Sequence, residues 1–152
     1  MMASAMRAVL TARTGLVASD WREAIRVAAA PLVEAGAITP AYVDCAIAMV
    51  EDAGPYMVIA PGIALAHARP TDGARSLALS VGRFDQPIEF GHPQNDPVRL
   101  VFVFASPDND QHVLLLKGLA GALLRGLAEK LLAAADDAAA LRLLEEEIEV
   151  DN

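Results

Sequence analysis

The chain is organised around residues 54–70, whose sequence is GPYMVIAPGIALAHARP. Two short apolar runs flank a Pro-Gly turn, which predicts two short strands. In the second run the alternation places Ile63, Leu65 and His67 on one face of a strand and the intervening alanines on the other. Pro70 cannot continue a strand ladder. We therefore expect His67 at the end of a rigidly held strand, a position where functional sites are common. The alternative is a histidine with a structural role in the core or at its rim.

Length and composition favour one globular domain over residues 1–152. The chain is 55% hydrophobic and 21% charged, a balance typical of a protein that buries a core. No apolar run approaches the ~20 residues of a membrane span, and Arg7 and Arg13 interrupt the start. We expect a soluble, cytoplasmic protein. The lone Cys45 excludes an internal disulfide and is predicted to be a small buried hydrophobe on a helix, not a nucleophile.

The charge of the chain argues against nucleic acid as a partner. The formal net charge is −8, with 20 acidic and 12 basic residues, and no basic patch is visible in the sequence. Part of the acidic excess lies in the tail, residues 145–151, which is predicted to be a solvated helix end.

The first third of the chain predicts helices. Residues 1–18 suggest a short helix followed by a strand near 16–18. Asp20 with Glu23 forms a capping-box pattern, and apolar spacing predicts a helix over 21–35 that Gly36 ends. Thr39 followed by Pro40 predicts the start of a second helix, which Gly54 stops.

The remainder predicts strands and then helices. Strands are expected at 57–60, 63–68, 77–84, 88–90 and 99–105. The last of these is so continuously apolar that it should be the central strand. A leucine-rich helix should follow Asp108, and a final helix should cover 137–147. The order predicts an α/β (α+β) sandwich with a mixed, about five-stranded sheet flanked by helices.

Two further histidines, His112 and His92, lie outside residues 54–70. His112 falls in the first turn of the helix that Asp108 caps, beside backbone N–H groups that suit an anion such as phosphate. The alternative is a surface residue in a capped turn. His92 lies in a turn-rich loop, where a structural role is expected. The histidines and Cys45 show no local ligand pair, so a metal site is not expected.

Residues 54–70 resemble the active-site segment of enzyme IIA proteins of the bacterial phosphotransferase system (PTS). Within the mannitol/fructose-type superfamily they are most similar to the ascorbate, and related pentitol, branch. The resemblance continues through IEFGH (88–92), NDPVRLVF (95–102) and DNDQHVL (108–114). It covers roughly residues 20–124, and two histidine-centred motifs in the right order make it fairly specific.

The resemblance implies a mixed sheet flanked by helices and a phosphoryl carrier. Such a carrier accepts phosphate on histidine from the histidine-containing phosphocarrier protein (HPr) and passes it to a cysteine of enzyme IIB. Its membrane association is only indirect, through enzyme IIC. His67 matches the phosphorylated histidine and His112 the second histidine, which supports the phosphoryl group. Transfer between histidine and histidine, or histidine and cysteine, requires no metal or other cofactor.

Two positions depart from the family pattern. Ala66 stands where proline usually precedes the phosphorylated histidine, and Glu51 stands where other branches carry an arginine. The second departure favours the ascorbate branch and removes one phosphate partner. Arg69 would replace that partner if the strand pattern extends beyond His67. Two alternatives remain at this point: a regulatory, non-transport IIA-like protein controlled by histidine phosphorylation, and a catalytically silent descendant.

Overall fold

A computed structural model describes residues 8–148 of the chain. The strands are β1 (Val9–Leu16), β2 (Val58–Ala60), β3 (Ile63–Ala66), β4 (Ala78–Ile88) and β5 (Val98–Ala105). The helices are α1 (Trp21–Glu34), α2 (Pro40–Ala53), α3 (Asn109–Leu124), α4 (Leu127–Ala133) and α5 (Asp137–Glu147), with a 3₁₀ turn at Pro70–Asp72. In these residues no helix is long and apolar enough to cross a membrane.

The five strands form one mixed sheet in the order β1-β4-β5-β3-β2. β1 runs parallel to β4, and β3 runs parallel to β5. The other two pairs, β4 with β5 and β2 with β3, are antiparallel. The predicted mixed sheet flanked by helices is confirmed, and the apolar strand β5 is central as expected. Because β3 and β5 are parallel neighbours, both end at the same edge of the sheet.

The alternation along β3 separates two hydrophobic cores. Ala64 and Ala66 face the core that α1 and α2 cover, where small side chains let the helices approach the sheet. Ile63 and Leu65 face the core that α3, α4 and α5 cover. The predicted division of the strand into two faces is confirmed. With both faces buried, β3 is held rigidly up to the residue before His67.

Polar side chains define where most of the helices begin. Asp20, Thr39, Asp108 and Asp136 each accept a hydrogen bond from the backbone N–H three residues further on. Pro40 occupies the first turn of α2, where its missing N–H costs no helical hydrogen bond. Gly54 ends α2 with φ +92°, a conformation that favours glycine. The predicted bounds of α1, α2 and α5 are confirmed to within one residue.

Several predicted elements differ from the structure. The strand expected near 16–18 is β1, which begins at Val9 and ends at Leu16. The helix expected before it, within residues 1–18, is wrong for residues 9–15, which belong to β1; residues 1–7 lie outside the described residues. The strands predicted at 77–84 and 88–90 are one strand, β4. The sequence did not predict α4 as a separate helix. The strand predicted at 63–68 ends at Ala66.

Candidate active site

His67 follows directly after β3, at the edge where β3 and β5 end. Its ring is half-buried, and its Nδ1 lies 3.2 Å from the backbone oxygen of Leu65. A carbonyl oxygen can only accept, so this contact places the ring proton on Nδ1 in the neutral imidazole. Nε2 is then left with its lone pair, which makes it the nucleophilic atom of the ring.

Burial lowers the pKa of His67 below its ordinary value of 6.5. The hydrogen bond to Leu65 opposes this effect, and the neighbouring His112 adds to it. A lowered pKa keeps the ring neutral near pH 7, and only the neutral ring has a lone pair to attack phosphorus. The electrostatics of the position therefore suit a nucleophile.

His112 lies in the first turn of α3, as predicted. Asp108 caps this helix by accepting from the N–H of Gln111 at 2.8 Å. The ring centroids of His67 and His112 are 6.4 Å apart. Phe104, at the end of β5, contacts both rings edge-on, with centroid distances of 6.2 Å to His67 and 4.6 Å to His112. The structure thus brings together two histidines that are 45 positions apart in the sequence.

Exposed apolar side chains lie beside His67 and follow His112 along α3. Tyr56 is 44% exposed, and its ring lies edge-on to His67 with a centroid distance of 6.4 Å. Val113 and Leu114, next to His112 on α3, are 53% and 48% exposed. These side chains offer apolar contact to another protein near the histidines.

Arg69 lies outside the strand that was expected to carry it. Its side chain is 77% exposed, and its Nε lies 3.4 Å from Asp72, within the 3₁₀ turn. Beside it, an open depression reaches Asn109 at the start of α3. A phosphate contact by Arg69 stays a prediction. At the other family departure, Glu51 forms an ion pair of 2.8 Å with Arg22 of α1.

The remaining candidates have structural surroundings. Nδ1 of His92 accepts hydrogen bonds from the backbone N–H groups of Gln94 and Asn95, at 3.1 and 3.0 Å. The structural role predicted for His92 is confirmed. Cys45 lies on α2 as predicted, but it is half-buried at the border of the core rather than buried within it.

Sequence reasoning missed Tyr42, which lies beneath the site. Its side chain is 1% exposed, and its hydroxyl contacts the backbone of Ala68 and Phe104. In the sequence it is one apolar position of α2 among several. Its partners lie 26 and 62 positions away, so no local signal could have revealed the contact.

The mixed five-stranded sheet flanked by helices matches the solved structures of enzyme IIA proteins of the phosphotransferase system. The PTS IIA protein PtxA from Streptococcus mutans has this fold, with a TM-score of 0.79 and 30% identity over 90% of this chain and 88% of that one. The chain belongs to the family described as phosphoenolpyruvate-dependent sugar phosphotransferase system, EIIA 2, whose model matches residues 9–147. It is therefore a phosphotransferase component.

Two curated relatives indicate which branch of the family the chain resembles most. The phosphotransferase IIA component SgcA of Escherichia coli is 42% identical over 100 residues, which are 66% of this chain and 70% of the relative. The ascorbate-specific PTS system EIIA component of Escherichia coli is 38% identical over 95 residues, 62% of each chain. The match thus spans somewhat under two thirds of the ascorbate-specific relative. The resemblance to the ascorbate branch is confirmed.

Proposed function

We propose that this chain is the phosphoryl relay of a sugar phosphotransferase system, accepting phosphate on Nε2 of His67 from HPr and passing it to a cysteine of enzyme IIB. The observation that carries the proposal is the histidine pair at the sheet edge. One ring has its Nδ1 proton fixed on the Leu65 carbonyl, and the second lies 6.4 Å away at a helix start.

In each transfer one bond to phosphorus forms as another breaks, and no further reactant is required. The Nε2 lone pair of His67 attacks phosphorus while the nitrogen–phosphorus bond of phosphorylated HPr breaks, and the departing imidazole keeps that electron pair. In the second step the thiolate of enzyme IIB attacks phosphorus, and the bond to Nε2 breaks. Throughout both steps Nδ1 of His67 keeps its proton and its contact with Leu65.

His112 and the start of α3 supply the electrostatic part of the site. Phosphoryl transfer depends mainly on in-line positioning and on neutralising the oxygens of the transferred group. A ring N–H of His112 and the positive end of the α3 dipole can both act on those oxygens. Their position in the structure supports a stabilising role for His112.

The surface around the site supports brief contacts with two successive partners. Tyr56, Val113 and Leu114 offer apolar contact, and the net charge of −8 favours partners with basic residues around their reactive group. A relay must release its partner in each cycle, so we expect micromolar or weaker affinity. From membership of the enzyme IIA family we propose that these partners are HPr and enzyme IIB in the cytoplasm. Enzyme IIC would provide an indirect link to the membrane.

From the relatives we propose that the system transports ascorbate or a related sugar acid or pentitol. The test is a reconstituted relay with phosphoenolpyruvate, enzyme I, HPr and purified enzyme IIB proteins of the ascorbate and mannitol types. Label should pass from this chain to the ascorbate-type IIB at least tenfold faster than to the mannitol type. Equal rates would contradict the substrate assignment. Stable nanomolar binding of an unphosphorylated partner, with no transfer, would instead support a regulatory protein.

A further inference from the structure

The hydroxyl of Tyr42 occupies a point between the ends of the two central strands. It accepts a hydrogen bond from the N–H of Ala68 at 3.0 Å and donates one to the carbonyl oxygen of Phe104 at 2.7 Å. The Ala68 carbonyl oxygen also lies within 3.2 Å. Burial raises the pKa of Tyr42 to about 12, so the hydroxyl keeps its proton and remains a donor at neutral pH.

The hydroxyl joins the two strands where their own pairing stops. The β3–β5 register ends with Ala66 opposite Val103. Ala68 and Phe104 lie just beyond that last pair, and the Tyr42 hydroxyl bridges them through one acceptor and one donor contact. This side-chain bridge holds the strand ends together while His67, between Ala66 and Ala68, stands outside the ladder.

Both histidines depend on the two backbone groups that the hydroxyl binds. Ala68 is the residue directly after His67, so fixing its N–H fixes the backbone on the C-terminal side of the nucleophile. Phe104 carries the ring that contacts His67 and His112 at 6.2 and 4.6 Å. A shift of either strand end would change the distance and angle between the two imidazoles.

We propose that Tyr42 is a positioning residue for phosphoryl transfer, its hydroxyl setting the relative placement of His67 and His112. The proposal rests on the proposed role of His67 as the phosphate acceptor. In-line transfer tolerates little misplacement, and an error of about 1 Å can lower a rate by about 10²-fold. Because the hydroxyl touches only backbone, its effect reaches the reacting atoms through the geometry of the strand ends.

The test compares Tyr42→Phe with Ser80→Ala. The Ser80 hydroxyl is also buried and also donates to a backbone oxygen, that of Ala28 at 2.8 Å, but its partner lies in α1. Single-turnover transfer from phosphorylated HPr should be about 10- to 100-fold slower in Tyr42→Phe. In Ser80→Ala it should stay within about twofold of wild type, even if both variants melt at lower temperatures.

A second readout separates positioning from simple stability. Nitrogen-15 spectra of the histidine rings should show a changed tautomer ratio or pKa for His67 in Tyr42→Phe, and none in Ser80→Ala. A Tyr42→Phe protein with the wild-type rate and wild-type ring spectra would overturn the proposal. If Tyr42→Phe fails to fold, the wild type provides the test. The NMR resonance of the Tyr42 hydroxyl proton should shift when the protein is phosphorylated, and an unchanged resonance would overturn the proposal.

The same experiment distinguishes this proposal from the proposed function. His67→Ala is run alongside, and the position of the label is determined in the wild type. Label on a residue other than His67 would refute the proposed function itself. Label on His67 together with an unimpaired Tyr42→Phe variant would refute only the positioning role.

Discussion

Removing the His112 ring should slow phosphorylation without abolishing it. The substitution His112→Ala leaves the proposed nucleophile, His67, and its contact with Leu65 intact. It also places a better helix former in the first turn of α3, so the helix and its Asp108 cap should persist. The substitution removes a hydrogen-bond donor whose ring centroid lies 6.4 Å from that of His67. It also removes the packing of this ring against Phe104.

The size of the effect follows from the exposure of the site. Loss of one donor to a developing oxyanion typically costs about 10²–10³ in rate. His112 is only half-buried, and solvent screens its interaction, so we expect the lower end, about 10²-fold or about 2.7 kcal/mol. Onward transfer to enzyme IIB should fall as well, because the phosphoryl group is less well oriented for departure.

The assay is single-turnover transfer of labelled phosphate from HPr, measured by rapid quench. Lys117→Ala, an exposed substitution on the same helix, is the matched control and should transfer at the wild-type rate. A His112→Ala protein that transfers as fast as wild type would contradict a stabilising role for His112. Complete loss of acceptance in a folded His112→Ala protein would refute it as well, because a stabilising donor does not carry the phosphate.

Three further outcomes are expected. Cys45→Ser should retain phosphoryl acceptance and lose at most about 1 kcal/mol of unfolding free energy, since the thiol is half-buried; a folded variant that cannot be phosphorylated would contradict this. Gly73→Ala should cost about 2 kcal/mol or more in urea unfolding, because φ is +129° and a β-carbon would overlap the Thr39 hydroxyl. Because the pKa of His67 is lowered in the folded state, the folded protein binds fewer protons there than the unfolded chain, and its stability should fall as pH drops below 6.5. The stability of His67→Gln should fall less steeply over the same range. Identical pH profiles of stability for the two proteins would refute this.

Much of the fold was predictable because its signals are local. Thr39 and Pro40 mark the start of α2 through a side-chain cap and a proline that needs no helical partner, and Gly54 marks its end through a positive φ. β5 was predictable as the central strand, because a strand covered on both faces shows an unbroken apolar run.

The errors arose where local signals conflict with tertiary pairing. Residues 85–87, Asp-Gln-Pro, look like a turn, but they continue β4 past an irregularity in its register with β5. Their side chains are exposed there, so polarity was no guide. β1 has no fully buried residue, and its apolar pattern is correspondingly weak. Gly126, with φ +97°, starts α4 after α3, whose leucine-rich pattern hides the break.

The site was predictable only in part. The motifs placed His67 at a strand end and His112 at a helix start, and both positions are confirmed by the structure. The condition set for Arg69, a strand continuing past His67, is not met because β3 ends at Ala66. The Tyr42 bridge could not be predicted, since its hydroxyl binds backbone atoms that only the folded sheet brings together.

Whether His67 carries the phosphate is decided by locating the label in the protein. Wild type, His67→Ala and His112→Ala are incubated with phosphoenolpyruvate, enzyme I and HPr, then analysed by mass spectrometry under conditions that preserve phosphohistidine. We expect an acid-labile, base-stable phosphate on His67 of the wild type, its loss in His67→Ala and its slower appearance in His112→Ala. Label that persists in His67→Ala and vanishes in His112→Ala would contradict it, as would a wild type that accepts none.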